Sequence, residues 1–384
     1  MSGALLYLVA GEPSGDRLGA SLMRALAREA PGTRFAGVGG PAMRAAGLEP
    51  LFDNAQLAVM GITEVLPRLP GLLARIQEAA ADCLAHRPAA LITIDSPSFG
   101  LRVAARVRAR DPSIRTIHYV APSVWAWRPG RARHMARFVD HVLALLPFEP
   151  PWMEAAGMTC DFVGHPVAER PAPGREAAAA MRARLGFAAD RPILLLAPGS
   201  RRGEIRRMVP LFRAVAERMR ATPIDPALIV PVGEGVADAL PPMLADLSPA
   251  LVTPEMGEDA KFAAFASADA ALVKSGTVSL EMAAAGTPHV SAYRTSALTA
   301  AIVRRLIRVD TANLINLVSA ERVVPEFIQE RAEPGAIVRA LMPLFGKAGV
   351  AQRIVFDQVM TTLGRGGTPP STRAARSVLR VIGD

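Results

Sequence analysis

The chain has 384 residues, enough for roughly two or three domains with sizeable cores, and its 51% hydrophobic content excludes a disordered protein. Its formal net charge of +9 is carried almost wholly by arginine, which suits phosphorylated or anionic-lipid partners. The arginines are dispersed and no RNA-binding motif appears, so nucleic acid is not an expected partner. Two cysteines, Cys83 and Cys160, cannot build a disulfide framework or a zinc finger, and a reducing cytoplasm is expected. Met1–Ala4 carries no basic region and Leu5–Ala10 is short for a signal-peptide core. No run reaches the roughly 18–20 apolar residues of a spanning helix.

In chain order, Leu5–Ala10 reads as a strand and Leu18–Glu29 has helical spacing; Arg34–Val38 is a second strand. Gly71–His86 is helical, Ala90–Ile94 is a buried strand ending at Asp95, and Leu101–Arg110 is helical. Arg115–Val120 and His141–Leu145 complete the set. Near Gly164 the texture changes, with Pro166, Pro171, Pro173 and Gly174 marking a linker. The pattern then restarts with strands at Ile193–Ala197, Ala227–Pro231, Ala250–Val252, Ala270–Val273 and His289–Tyr293. Helices are expected near Glu204–Arg220 and Asp238–Leu247, and the remaining third is mostly helical, ending in Thr372–Ile382. Strands separated by helices predict α/β domains with parallel, doubly wound sheets.

Two strands break into small-residue turns that open a helix. Leu5–Ala10 leads into Gly11-Glu12-Pro13-Ser14-Gly15-Asp16, and Ile193–Ala197 leads into Pro198-Gly199-Ser200-Arg201. Such turns let backbone N–H groups face an anion. Two of them, half a chain apart, predict two nucleotide-fold domains facing a shared cleft, the plan of an enzyme joining a nucleotide-activated group to an acceptor. The first turn is neither G-x-G-x-x-G nor a Walker loop, and a plain tight turn would look the same. Asp95 ends an apolar strand, where a carboxylate can take a proton from a hydroxyl; helix capping is the alternative. Arg201 offers a forked guanidinium to a diphosphate, or else decorates a solvated helix end. In Lys274–Glu281, Ser275 or Thr277 can cap a helix whose N–H groups hold phosphate, and Glu281 can accept from ribose hydroxyls or simply favour the helix dipole. Trp125 and Trp127 either fill an interface or shape an acceptor pocket. Val65–Ile76 has an apolar stripe with Arg68 and Arg75 that fits an anionic membrane surface or an ordinary core helix. The six histidines form no metal-ligand cluster, so no metal is expected.

Together the segments AGEPSGD (10–16), AVMGITEVLPRL (58–69), ITIDSPSF (92–99), IHYVAPSVWAWRPGR (117–131), LLPFEP (145–150), FVGHPV (162–167), APGSRRGEI (197–205), SADAALVKSGTVSLE (267–281) and NLINLV (313–318) resemble the lipid-A-disaccharide synthase family, nearly end to end. Pro13 and Ala121 stand where relatives often have Thr and Ser.

The resemblance implies the GT-B fold: two Rossmann-like doubly wound domains facing a central cleft. An acceptor-binding domain would span 1–168, with a C-terminal helix at about 371–384 packing back on it, and a UDP-sugar domain would span 175–350. It implies an inverting, metal-independent transfer from UDP-2,3-diacylglucosamine to 2,3-diacylglucosamine 1-phosphate (lipid X), giving a β-1,6-linked disaccharide phosphate and UDP. Asp95 would be the base. Gly199, Ser200, Arg201, Ser275, Gly276, Thr277, Glu281 and Asn316 would serve the donor, and Ser14 and Asp16 the acceptor. The enzyme would sit at the cytoplasmic face of the inner membrane, touching it through Val65–Ile76. A UDP-N-acetylglucosamine 2-epimerase and a non-catalytic lipid-binding protein are the rival expectations.

Overall fold

The computed structural model describes residues 3–57, 62–296 and 309–383, with backbone alone at 56 and 62–69. It divides into two units, Met1–Glu169 with Leu363–Asp384, and Arg170–Thr362. The first unit holds a parallel sheet of β1 (Leu5–Ala10), β2 (Arg34–Gly39), β3 (Glu49–Asp53), β4 (Ala90–Ile94), β5 (Arg115–Tyr119), β6 (His141–Ala144) and β7 (Thr159–Phe162), in the order β3-β2-β1-β4-β5-β6-β7. Its helices are α1 (Pro13–Glu29), α2 (Pro41–Ala45), α3 (Ile62–His86), α4 (Gly100–Arg110), α5 (Gly130–Met135) and α6 (Pro150–Glu154), joined by a terminal helix at Pro370–Gly383.

The second unit holds β8 (Ile193–Ala197), β9 (Ala227–Pro231), β10 (Ala250–Val252), β11 (Ala270–Lys274), β12 (His289–Tyr293) and β13 (Glu326–Ile328), all parallel, in the order β10-β9-β8-β11-β12-β13. Its helices are α7 (Arg175–Arg184), α8 (Arg202–Arg220), α9 (Gly257–Ser267), α10 (Val278–Ala285), α11 (Leu314–Ser319), α12 (Pro334–Leu341) and α13 (Lys347–Thr362).

Each sheet is buried on both faces, as parallel sheets require. Side chains alternate along a strand, so β1 sends Tyr7 and Val9 into one core with Ile76, Ala79 and Cys83 of α3 and Val103 and Val107 of α4. Leu6, Leu8 and Ala10 go to the opposite core, against Leu22, Met23 and Leu26 of α1 and Ala374, Ala375 and Val378 of the terminal helix. That helix is also tied by Arg376 to Glu29 at 2.8 Å and by Ser377 to His141 Nε2 at 2.9 Å. In the second unit Leu194 and Leu196 pack on Met208, Phe212 and Val215 of α8 and Ile337 and Leu341 of α12.

Several expectations need correction. Strands β3, β7 and β13 were not anticipated, and Asp238–Leu247 is not an α-helix: a 3₁₀ turn covers Pro241–Leu247. Helix α3 begins at Ile62 rather than Gly71. Of the proposed membrane segment, the side chains of 65–69 lie outside the described residues. Ile76 is fully buried in the first core, Leu72 packs against that core, and Leu73 is exposed. No described helix is long and apolar enough to cross a membrane.

One close approach fixes the β1–β2 pairing. Gly37 has φ +133°, and a Cβ there would lie 2.0 Å from the Leu8 carbonyl oxygen. Alanine therefore meets both a forbidden backbone region and rigid backbone. Gly37→Ala is expected to cost at least about 3 kcal/mol, or to prevent folding, in denaturant titrations; a loss below about 1 kcal/mol would show that the strand pair can open to admit a methyl group.

Candidate functional site

In each sheet the strand order reverses once between neighbours, at β1/β4 and at β8/β11. Loops leaving the carboxyl ends of such a pair diverge to opposite faces and leave a crevice. Of the candidate catalytic and binding residues singled out from the sequence, all but Asn316 fall at or beside these two places.

At the first, the loop after β1 lies against the end of β4. A Cβ on Gly15 would sit 3.1 Å from the Ile94 carbonyl oxygen, and one on Gly11 would meet Ser96 Oγ at 2.9 Å. Pro13 opens α1 at its first turn, where its missing N–H costs nothing. Ser14, on that turn, donates from Oγ to Asp95 Oδ2 at 2.9 Å. Asp95 and Ser96 follow β4 with φ of +50° and +33°. This uncommon left-handed pair turns the chain sharply and leaves Asp95 half-exposed while Ser96 is buried. Below it, Thr93 Oγ1 lies 2.7 Å from His118 Nδ1, and burial pushes that imidazole down to about 4.

Asp16 has a different task from the one expected. It is buried and accepts from the backbone N–H groups of Gly40 (2.7 Å), Ala42 (2.9 Å) and Met43 (3.0 Å). Its carboxylate is spent on the start of α2, so it fixes the crevice wall.

At the second crevice, Arg201 precedes α8 and is exposed, with Nη1 3.6 Å from Glu204 Oε1. Glu204 is mostly buried: it accepts from Ser200 N–H at 3.3 Å and from Lys274 Nζ at 3.0 Å. Its side chain folds over Gly199, where φ is +130° and a Cβ would lie 2.8 Å from Glu204 Oε2, so only glycine fits. Across the reversal, β11 ends at Lys274 and Ser275-Gly276-Thr277 leads into α10. Thr277 precedes α10 without a side-chain cap, and Ser275 Oγ lies 3.5 Å from Glu326 Oε1. At the start of α10 the N–H groups of Ser279 and Leu280 bond the carbonyl oxygens of Gly276 and Thr277 at 3.1 and 3.0 Å. Glu281 is half-exposed, its Oε2 3.3 Å from Lys261 Nζ.

A buried polar chain sets the position of α10. Asn313 Nδ2 donates to Ser279 Oγ at 2.9 Å, and Ser279 Oγ lies 2.6 Å from His289 Nε2. His289 Nδ1 lies 3.1 Å from the Thr287 carbonyl oxygen. Burial holds this imidazole down at about 4, so it is neutral, donating from Nδ1 and accepting at Nε2. Asn316, expected at the donor, is instead buried and paired with the backbone of Val324, accepting at 2.8 Å and donating at 2.9 Å. It closes the loop after α11.

Sequence reasoning missed Glu204, Lys274 and Glu149. Glu204 stands three residues into the α8 start, the position from which an acidic side chain reaches back to orphan N–H groups. Glu149 is almost wholly buried and accepts from Leu146 N–H (2.9 Å), Leu145 N–H (3.1 Å) and Trp125 Nε1 (3.3 Å). Trp125 also stacks edge-on against Phe148, with ring centroids 5.1 Å apart, so Glu149 anchors the tryptophan loop after β5. Trp127 is partly exposed, with the Arg128 guanidinium 4.7 Å from its ring centroid.

Burial raises the Glu149 carboxyl from 4.5 to about 7, against the pull of its three donors. Between those values it is protonated in the fold and ionised in the unfolded chain. Its contribution is complete below pH 4.5 and is lost as pH climbs to about 7, by up to about 3 kcal/mol. Paired denaturant titrations should show the parent losing stability relative to Glu149→Gln across that window. A pH-independent difference would mean that Glu149 is ionised in the folded protein.

No group of His, Cys, Asp and Glu able to hold a metal occurs among the described residues. The profile of the lipid-A-disaccharide synthetase family matches residues 6–362. A lipid-A-disaccharide synthase of Ruegeria pomeroyi is 50% identical over 381 residues, covering 97% of this chain and 94% of that one. Among solved structures, the glycotransferase of kitacinnamycin superposes with a TM-score of 0.62 at 17% identity, covering 99% of both chains. The UDP-GlcNAc 2-epimerase of Neisseria meningitidis reaches 0.60 at 10% identity, covering 98% of this chain and 99% of that one. These structural likenesses show the GT-B fold, with two α/β units, and the sequence match shows the family: the chain belongs to the lipid-A-disaccharide synthase family of glycosyltransferases.

Proposed function

We propose that the protein transfers the sugar of UDP-2,3-diacylglucosamine to the 6-hydroxyl of 2,3-diacylglucosamine 1-phosphate, with inversion, releasing UDP. The observation that carries this reading is the Ser14–Asp95 hydrogen bond at the β1/β4 reversal, in a chain of this family. Asp95 is the general base. Ser14 occupies one carboxylate oxygen and orients the other toward the acceptor hydroxyl. A single displacement needs one base and no covalent glycosyl-enzyme. The pyrophosphate leaves with its charge held by Arg201, the Gly199–Ser200 turn, the N–H groups of Gly276 and Thr277 and the hydroxyls of Ser275 and Thr277, the Ser275 N–H being taken by the Ala292 carbonyl. Glu281 takes the ribose hydroxyls, exchanging its contact with Lys261 for them. Preorganised cations and helix starts stabilise the leaving group without a metal. The isomerase reading gains nothing beyond the shared fold.

Incubation with both lipids and mass detection of the disaccharide phosphate tests the assignment. Asp95→Asn and Arg201→Ala are each expected to lower the rate at least about 100-fold with unfolding midpoints preserved, and a chelator should change nothing. Near-parental rates in Asp95→Asn would remove the carboxylate from the chemistry.

Both substrates are lipids, and we infer peripheral contact with the cytoplasmic face of the inner membrane through Val65–Ile76. Leu72 and Ile76 serve the core, which leaves exposed Leu73 as the contact residue in the described part. Leu73→Glu should reduce co-sedimentation with anionic vesicles several-fold without altering the fold, in keeping with the loss of one buried apolar side chain; unchanged sedimentation would exclude this stretch.

A further inference from the structure

Lys274 is the last residue of β11, one position beyond the Val273–Ala197 pair of the β8/β11 ladder. Its strand address puts it between the two turns of the second crevice, Pro198–Arg201 and Ser275–Thr277. The Nζ atom confirms this: it lies 3.0 Å from Glu204 Oε1, and the place of a Gly276 Cβ is 3.5 Å away. The side chain is only 19% exposed and passes within 5.6 Å of the Tyr293 ring centroid.

Its charge is incompletely matched. Glu204 is shared by Lys274 and Arg201, so the three side chains sum to one net positive charge beside two helix starts, whose dipoles add further positive potential. Lys274, the buried member, thus shares its one carboxylate with the exposed Arg201, and an added anion would complete the set. The Glu204 carboxylate also bonds the Ser200 N–H, a group of the turn assigned to the pyrophosphate. It therefore occupies, within the chain, bonds that a phosphate oxygen would make.

We propose that Lys274 is a pyrophosphate-binding residue of the donor site, and that Glu204 is an internal counter-anion holding Lys274 and Arg201 in place until the nucleoside diphosphate takes over. The inference rests on the donor-site reading above. Lys274 supplies a point charge from the β11 side while Arg201 supplies a planar fork from the β8 side, so the two phosphates are gripped by chemically different cations.

Calorimetric titration with UDP tests this on the parent, Lys274→Met and Glu204→Gln. A charged hydrogen bond lost from a phosphate should raise the UDP dissociation constant about 10- to 100-fold in Lys274→Met. Removing the competing carboxylate in Glu204→Gln should lower it several-fold, and an unchanged constant would overturn the counter-anion role. If the pair were only a structural strut, the two variants would weaken binding alike, and that result overturns the proposal. So does a Lys274→Met constant within about threefold of the parent, the spread expected of a surface charge. Should Lys274→Met fail to fold, Lys274→Gln retains a hydrogen bond to Glu204 and carries the same expectation. A parent that does not bind UDP would instead bring down the donor-site reading itself.

Discussion

The reversal of strand order in each parallel sheet is the constraint on which the chemistry depends. A right-handed crossover must place its helix on one face, so strands laid down in opposite directions from β1, or from β8, send their following helices to opposite faces. The carboxyl ends of β1 and β4, and of β8 and β11, are thus the places where backbone can diverge without covering the strand ends. Ser14 and Asp95 lie 81 positions apart in sequence, and Glu204 and Lys274 lie 70 apart, yet each pair is in hydrogen-bond contact because of this geometry.

The two crevices have opposite electrostatic characters. The first presents a carboxylate whose nearest side-chain partner is a neutral hydroxyl, an arrangement that orients Asp95 without an ion pair. The second concentrates Arg201 and Lys274 around one carboxylate at two helix starts. A base for an acceptor and cations for a leaving group are the requirements that the proposed displacement would place on them. They explain why a chain rich in arginine still keeps its one half-buried carboxylate after β4 free of an ion pair among the described contacts.

Most of this architecture was legible because central strands of a buried parallel sheet are continuous apolar runs. Leu5–Ala10, Ala90–Ile94 and Ile193–Ala197 begin and end in the structure where the sequence places them. The strands that escaped notice are at or near sheet edges, where burial is partial and the apolar run is lost. Glu49–Asp53 contains two acids and a proline, Thr159–Phe162 an aspartate, and Glu326–Ile328 is three residues long. Pro67 and Pro70 likewise argue locally against the early start of α3.

The candidate residues divide by a property that the sequence does not contain, namely whether the backbone has already claimed the side chain. Asp16 and Asp95 are both acids just beyond a strand at the same crevice. Three N–H groups saturate the first and bury it, while the second meets one hydroxyl and retains an accessible oxygen. Asn316 and Glu149 follow Asp16, each holding a loop by paying with its own lone pairs and donors for backbone groups that would otherwise be buried unpaired. A motif fixes which residues gather at a strand end, but the division between strut and ligand is decided by the hydrogen-bond needs of the loops around it. Reactive positions are those left over once every buried N–H has found an acceptor. On that criterion Asp95, Arg201, Glu281 and Lys274 are side chains that no backbone N–H of α2 or of the loop after α11 has claimed, which is what their proposed roles require.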